Sequence, residues 1–146
     1  MAVETGLVDE ALDVAGAVAA VQDPDCGGIA LFVGTVRSTA AVARNEAKAV
    51  IALEYEAHPS LASQRLQQLV QDASRKWELR QLFAKHRTGR CDLGQPTVVV
   101  ACASPHRADA LEACRWIIDE IKATVPIWKR EVYADGSDWV GAEEGA

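Results

Sequence analysis

The stretch 97-TVVVACASPHRADALEACRWIIDEIKATVPIWKREVY-133 decides the fold. Thr97 to Ala103 is an unbroken apolar run rich in β-branched residues, the signature of a buried strand. Ser104 and Pro105 follow as an N-cap and a proline at the first helical position. Leu111, Cys114, Ile118, Ile121 and Val125 then mark one apolar face of a helix. Pro126 terminates it, and Ile127 to Tyr133 (IWKREVY) returns to strand. A strand, a helix and a strand with short junctions require a domain that mixes both element types.

On the N-terminal side, Leu82 to Arg87 is a second strand, separated from Thr97 by Gly89 and the Gly94-Gln95-Pro96 turn. Together these strands read as a hairpin with a long loop. Upstream, Ala62, Leu66, Leu69, Val70, Ala73 and Trp77 predict an amphipathic helix from Pro59, started by Ser60 or Ser63 and ended by Glu78 to Arg80. Val50 to Glu56 and Ile29 to Val36 read as strands, with a surface loop over residues 38–47 between them. Asp9 to Val21 reads as a small-residue helix with acids in its first turn, and Asp23-Pro24-Asp25 and Gly27-Gly28 stop it. After Tyr133 comes a polar tail carrying Trp139, with residues 140–146 expected to be flexible. The fold class is α+β: a single domain over 1–146, with a mainly antiparallel sheet and two principal helices packed on it.

A length of 146 residues suits one domain. With 49% apolar and 25% charged residues, nothing argues for disorder. The formal net charge of −6 hides an uneven distribution. Residues 1–36 and 131–146 carry acids and no Lys or Arg, so all 15 bases lie in 37–130 and outnumber the ten acids there by five. A net negative field argues against general nucleic-acid or anionic-membrane binding and leaves room for a local anion site. The apolar run Ala15 to Val21 is far short of the roughly 20 residues of a spanning helix, and acids rather than bases precede it, which points to a cytoplasmic protein. Cys26, Cys91, Cys102 and Cys114 show no CxxC spacing and read as reduced, mostly buried thiols.

The chemistry concentrates at few places. His106 and Arg107 stand where a helix begins, and cations there are unfavourable by some tenths of a kcal/mol each. An anion held by the helix N–H groups, His106 and Arg107 would offset this; surface pairing of Arg107 is the bland alternative. Lys122 falls near the helix C-terminus, where a cation is favourable without any function. Lys129 and Arg130 are adjacent in a strand and so point to opposite faces, with Trp128 beside them. A lysine acting as a base near neutral pH needs burial or neighbouring cations to lower its pKa. Arg37, the first base of the chain, ends the first core strand. Glu54 and Glu56 read as a solvated face. His58, His86 and His106 have no metal-ligand spacing, Cys102 with His106 is a weak nucleophile pair, and no Gly-rich nucleotide loop is present, so neither metal nor cofactor is expected.

Five motifs stand in order: Phe32-x-Gly34-x-Val36-Arg37, Leu53-Glu54-Tyr55-Glu56-Ala57-His58-Pro59, His86-Arg87-x-Gly89, Ser104-x-His106-Arg107 and Lys122-x-x-x-Pro126-Ile127-Trp128-Lys129-Arg130-Glu131. From about residue 27 to Trp139 the chain resembles the large, catalytic subunit of molybdopterin synthase; residues 1–26 are weakly matched. The resemblance implies a hammerhead-like α+β fold and a sulfurtransferase of molybdenum cofactor biosynthesis. That enzyme moves sulfur into cyclic pyranopterin monophosphate from the C-terminal Gly-Gly thiocarboxylate of a ubiquitin-like small subunit. It also implies a homodimer of large subunits within a heterotetramer. Carried over by position, Lys122 and Lys129 are the catalytic lysines. Thr35, Val36, Arg37, His106, Arg107, Arg130 and Glu131 bind substrate with them. The chain departs from the family in the loop after Arg37, at Cys91, where an aliphatic residue is expected, and at Gln95-Pro96 in place of an acidic turn. The alternative of a different class is a non-catalytic anion-binding or scaffold paralogue, against which the presence of both lysines counts.

His106 and Lys122 lie sixteen positions apart on one helix, roughly 24 Å at about 1.5 Å per residue. One chain can hardly supply both to one small substrate. His106 and Arg107 are therefore expected to enter the pocket from a second large subunit.

Overall fold

A computed structural model of the chain describes residues 1–39 and 49–140, the side chains of Asp138 and Val140 excepted. The elements run β1 (Ala2–Val8), α1 (Val14–Ala20), β2 (Gly28–Thr35), β3 (Ala52–Ala57), α2 (Pro59–Lys76), β4 (Gln81–Arg87), β5 (Gly89–Asp92), β6 (Pro96–Ser104), α3 (Arg107–Thr124), β7 (Ile127–Tyr133) and β8 (Gly136–Val140). The expected loop at 38–47 and the tail from 141 onward fall largely outside the described residues.

The α+β class holds, with the strands divided between two four-stranded sheets ordered β1-β4-β6-β2 and β5-β3-β7-β8. All pairings are antiparallel except β1 with β4. The division explains the loop expected between Leu82–Arg87 and Thr97. Strands β4 and β6 do pair, but the chain between them forms β5 and joins the second sheet beside β3. Gly89, at φ +80°, makes the turn out of β4 that this change of sheet requires. Strands β1, β5 and β8 were not expected. Each is a short or outer strand whose apolar pattern is too brief to read alone.

Strand β6 is buried along nearly its whole length because helices cover both of its faces. On one face Val98, Val100 and Cys102 meet Leu66, Leu69 and Val70 of α2 and Ile117, Ile118 and Ile121 of α3. On the other, Val99, Ala101 and Ala103 meet Ala17 and Val21 around α1. Fully burying one isoleucine is worth about 2 kcal/mol, so α3 is held by its core face. A third cluster, Val36, Val50, Leu53, Tyr55, Cys91 and Tyr133, lies on the inner face of the second sheet.

The helix starts differ from expectation. Asp13, not the earlier acids, caps α1, accepting from the Gly16 N–H at 2.9 Å. His58 caps α2 through Nδ1, which accepts from the Leu61 N–H at 3.3 Å, in place of Ser60 or Ser63. At α3 the Ser104 hydroxyl accepts from the His106 N–H at 3.4 Å, and His106 itself is the N-cap residue, without a side-chain cap bond. Cys91 is fully buried in the third cluster, where it packs as a small apolar side chain.

Candidate functional site

Helix α3 carries a cationic group at each end because its sequence places Arg107 at the first turn and Lys122 in the last. At the N-terminal end, His106 and Arg107 are exposed and line an open depression with Gly27, Pro105 and Ala108. Neither makes an ion pair among the described residues. Asp109 in the first turn complements the helix dipole and accepts from the Glu78 N–H at 3.0 Å. Strand β2 begins directly beside this end: the Gly27 N–H donates to the Pro105 carbonyl at 3.2 Å. A Cβ on Gly28 would stand 3.3 Å from the Arg107 Cα, so a side chain there would press on the start of α3.

At the C-terminal end of α3, Lys122 reaches solvent but is crowded. Burial first, and then the charge of Arg37, hold its pKa below the ordinary lysine value. Arg37 follows the end of β2, where Thr35 is exposed and Val36 is buried. Val36 is fixed by its own backbone, its N–H donating to the Gln95 carbonyl at 3.3 Å and its carbonyl accepting from the Gly94 N–H at 3.0 Å. The Gln95 side-chain oxygen also accepts from Arg87 at 3.2 Å and from the Asp92 N–H at 2.8 Å. A neutral amide therefore does the accepting at this turn.

Strand β7 separates its three site residues as the strand period demands. Lys129 and Glu131 point inward, at 7% and 2% exposure, and Glu131 accepts from the Tyr133 hydroxyl at 2.9 Å. Arg130 lies on the opposite face, paired with Glu54 and stacked on Trp139 with 5.2 Å to the ring centroid. Glu54, read as solvated, is thus the counterion of Arg130. The structure places Lys122 near Arg37 and puts Lys129 and Glu131 on one inner face; it does not bring Arg130 to that face, nor His106 and Arg107 to Lys122 of the same chain.

Two groups were missed. His86 is buried, its Nδ1 lies 2.7 Å from the Arg87 carbonyl oxygen, and Lys122 is one of the charges it feels. Burial above all pushes its pKa down to about 4, Lys122 adding to the fall while the bond to Arg87 opposes it. Tyr55 packs its ring against His86 and is hydrogen-bonded to Thr97; burial raises its pKa to about 12. The signal for His86 was in the alternation of LFAKHR, where positions 82, 84 and 86 share the core face. Among the described residues no group of acids, histidines and cysteines is arranged to hold a metal, and no helix is long and apolar enough to cross a membrane.

Two four-stranded sheets, a helix with a cationic side chain at each end and an inward-facing lysine and glutamate on β7 define a protein of the α+β class. Residues 7–124 match the family model described as MoaE protein, a span that includes Arg37, His106, Arg107 and Lys122. A molybdopterin synthase catalytic subunit of Oryza sativa subsp. indica is 45% identical over 128 residues, covering 88% of this chain and 64% of the relative. A Staphylococcus aureus molybdopterin synthase structure aligns with TM-score 0.84 and 31% identity, over 93% of this chain and 96% of that one. The fold extends to a Helicobacter pylori chain from a complex of subunits 1 and 2 of molybdopterin-converting factor, with TM-score 0.76 and 21% identity over 93% and 89% of the two chains. The chain belongs to the MoaE family. It spans a little under two thirds of the length of the rice relative.

Proposed function

We propose that this chain acts in the cytoplasm as the catalytic subunit of a molybdopterin synthase. It transfers sulfur from the C-terminal thiocarboxylate of a ubiquitin-like small subunit to cyclic pyranopterin monophosphate. The observation that carries the reading is Lys122: a lysine made less basic by burial and by Arg37, on a chain of the MoaE family. Donor and substrate are both anions, so each needs preorganised positive charge. Lys122 binds the donor carboxyl group and moves a proton as each transfer leaves the donor as a carboxylate. Lys129 supplies the second amine from the inner face of β7, with Glu131 beside it, and Arg130 braces the outer face of that strand. Thr35, Val36 and Arg37 form the substrate wall.

The remaining anion ligands come from a second copy. Strand β2 is an edge strand, and it exposes Ile29, Leu31 and Phe32. Its start touches Arg107 and its end leads to Arg37, a separation of roughly 23 Å at about 3.3 Å per residue. Antiparallel pairing of two β2 strands about a two-fold axis sets Arg37 of one chain beside His106 and Arg107 of the other. That geometry supports a homodimer with two shared pockets and a small subunit at each end. An anaerobic assay with thiocarboxylated small subunit and the pterin monophosphate tests the assignment. Dithiolene product that depends on Lys122 is expected; its absence, or full activity in Lys122→Ala, leaves the scaffold reading.

A further inference from the structure

Tyr55 and His86 each neighbour one of the two lysines without belonging to its element. Tyr55 is the cross-strand neighbour of Lys129, so both project from the inner face of the second sheet. His86 is the penultimate residue of β4 in the first sheet, and Lys122 is the lysine whose charge it feels. The two rings meet edge to face, with centroids 4.9 Å apart and planes at 74°. Both residues are 7% exposed. Each is also anchored from behind. A carbonyl only accepts, so the 2.7 Å contact with Arg87 makes Nδ1 the protonated nitrogen of His86 and fixes the ring plane. The Tyr55 hydroxyl is held by Thr97 of β6.

We propose that the Tyr55–His86 ring pair is a strut between the two sheets that sets the separation of Lys122 and Lys129, which makes both rings positioning residues for sulfur transfer. The proposal rests on the reading that these lysines carry the reaction. Lys129 rides on the sheet that Tyr55 belongs to, and Lys122 on the helix packed over the sheet that His86 belongs to. Packed rings are stiff, so the distance they impose is narrow, and an error of about 1 Å in such a constellation lowers rates by up to about a hundredfold. An uncharged ring suits the place, because a charged one would add a third cation beside Lys122 and Arg37.

The test uses the full chain with Tyr55→Leu and His86→Asn, which remove the ring contact, and Tyr55→Phe, which keeps it. Asparagine still offers an N–H to the Arg87 carbonyl, which protects folding. The pH dependence of reductive methylation at Lys122, followed by mass spectrometry, needs no partner. Its midpoint is expected to rise by about half a unit or more in the first two variants, as water reaches the wall beneath the amine, and to stay in Tyr55→Phe. In the sulfur-transfer assay, kcat is expected to fall about tenfold or more with KM for the pterin changed less than about threefold. The double variant should be no worse than the worse single one, since both break one strut. An unmoved Lys122 midpoint, or losses that multiply in the double variant, would overturn the strut. Full activity in Lys122→Ala would sink the functional reading instead, while the methylation result still decides the geometry.

Discussion

The two ends of α3 carry similar charges in opposite states. At the C-terminal end Lys122 is crowded by its own chain, with Arg37 and His86 near, and its pKa is already lowered. At the N-terminal end His106 and Arg107 are exposed, and no carboxylate of the described residues pairs with them. A cation at a helix C-terminus is stabilised by the dipole, whereas one at the N-terminus is opposed by it. One end is thus crowded by its own chain, and the other presents its cations to solvent.

The contrast breaks most sharply at Lys122. Lys122→Ala should lower kcat by about a hundredfold or more, the scale of losing one charge-stabilising group, while the melting temperature stays near wild type. Arg107→Ala should act mainly on KM for the pterin, by about tenfold. Mixing Lys122→Ala and Arg107→Ala chains sharpens the comparison further. With pterin well below KM, where the Arg107→Ala parent keeps about a tenth of wild-type activity, random assortment of shared pockets predicts recovery to about a quarter, because half the dimers are mixed and each has one intact pocket. Recovery of nothing beyond either parent would place each pocket within one chain.

Stability offers a third handle, through His86. Its unfolded imidazole binds a proton near 6.5 and its folded one only near about 4. As pH falls through that window the unfolded state gains a proton that the native state refuses, so stability drains between about 6.5 and about 4, by about 3 kcal/mol in all, and no further below. Urea denaturation at pH 7 and 4.5 measures it, and His86→Asn should flatten the difference. The smallest effect belongs to Glu54. Glu54→Gln should cost about 1 kcal/mol or less, since the pair with Arg130 is a third exposed, and should leave the Lys122 midpoint in place.

Much of this is legible in the sequence. Ile127–Tyr133 was bounded to the residue, because Pro126 and the β-turn residues after Tyr133 punctuate it on both sides. Helix α2 was clear from six apolar positions at helical spacing. The second sheet was not legible, because β5 is four residues long and finds its partner in β3, far away in sequence. The α3 cap was misplaced by two residues, since Ser104 and Pro105 mark a helix start on paper while the strand in fact runs on to Ser104. At the site, the charged residues announced themselves by type and position. His86 and Tyr55 did not: their effect comes from where two sheets meet, and no one-dimensional pattern holds that contact.

Strand β2 has a consequence for the life of the molecule before assembly. Gly28–Thr35 contains no proline and no charged residue, so nothing along this edge discourages pairing with other strands. The openness that would admit a second copy would also admit wrong strands. With two β2 strands paired as proposed, apparent stability should climb with protein concentration. Until the proposed pairing covers it, that edge is the part of a freshly made chain most open to aggregation, and because wrong pairing also rises with concentration, early rather than abundant pairing is its protection.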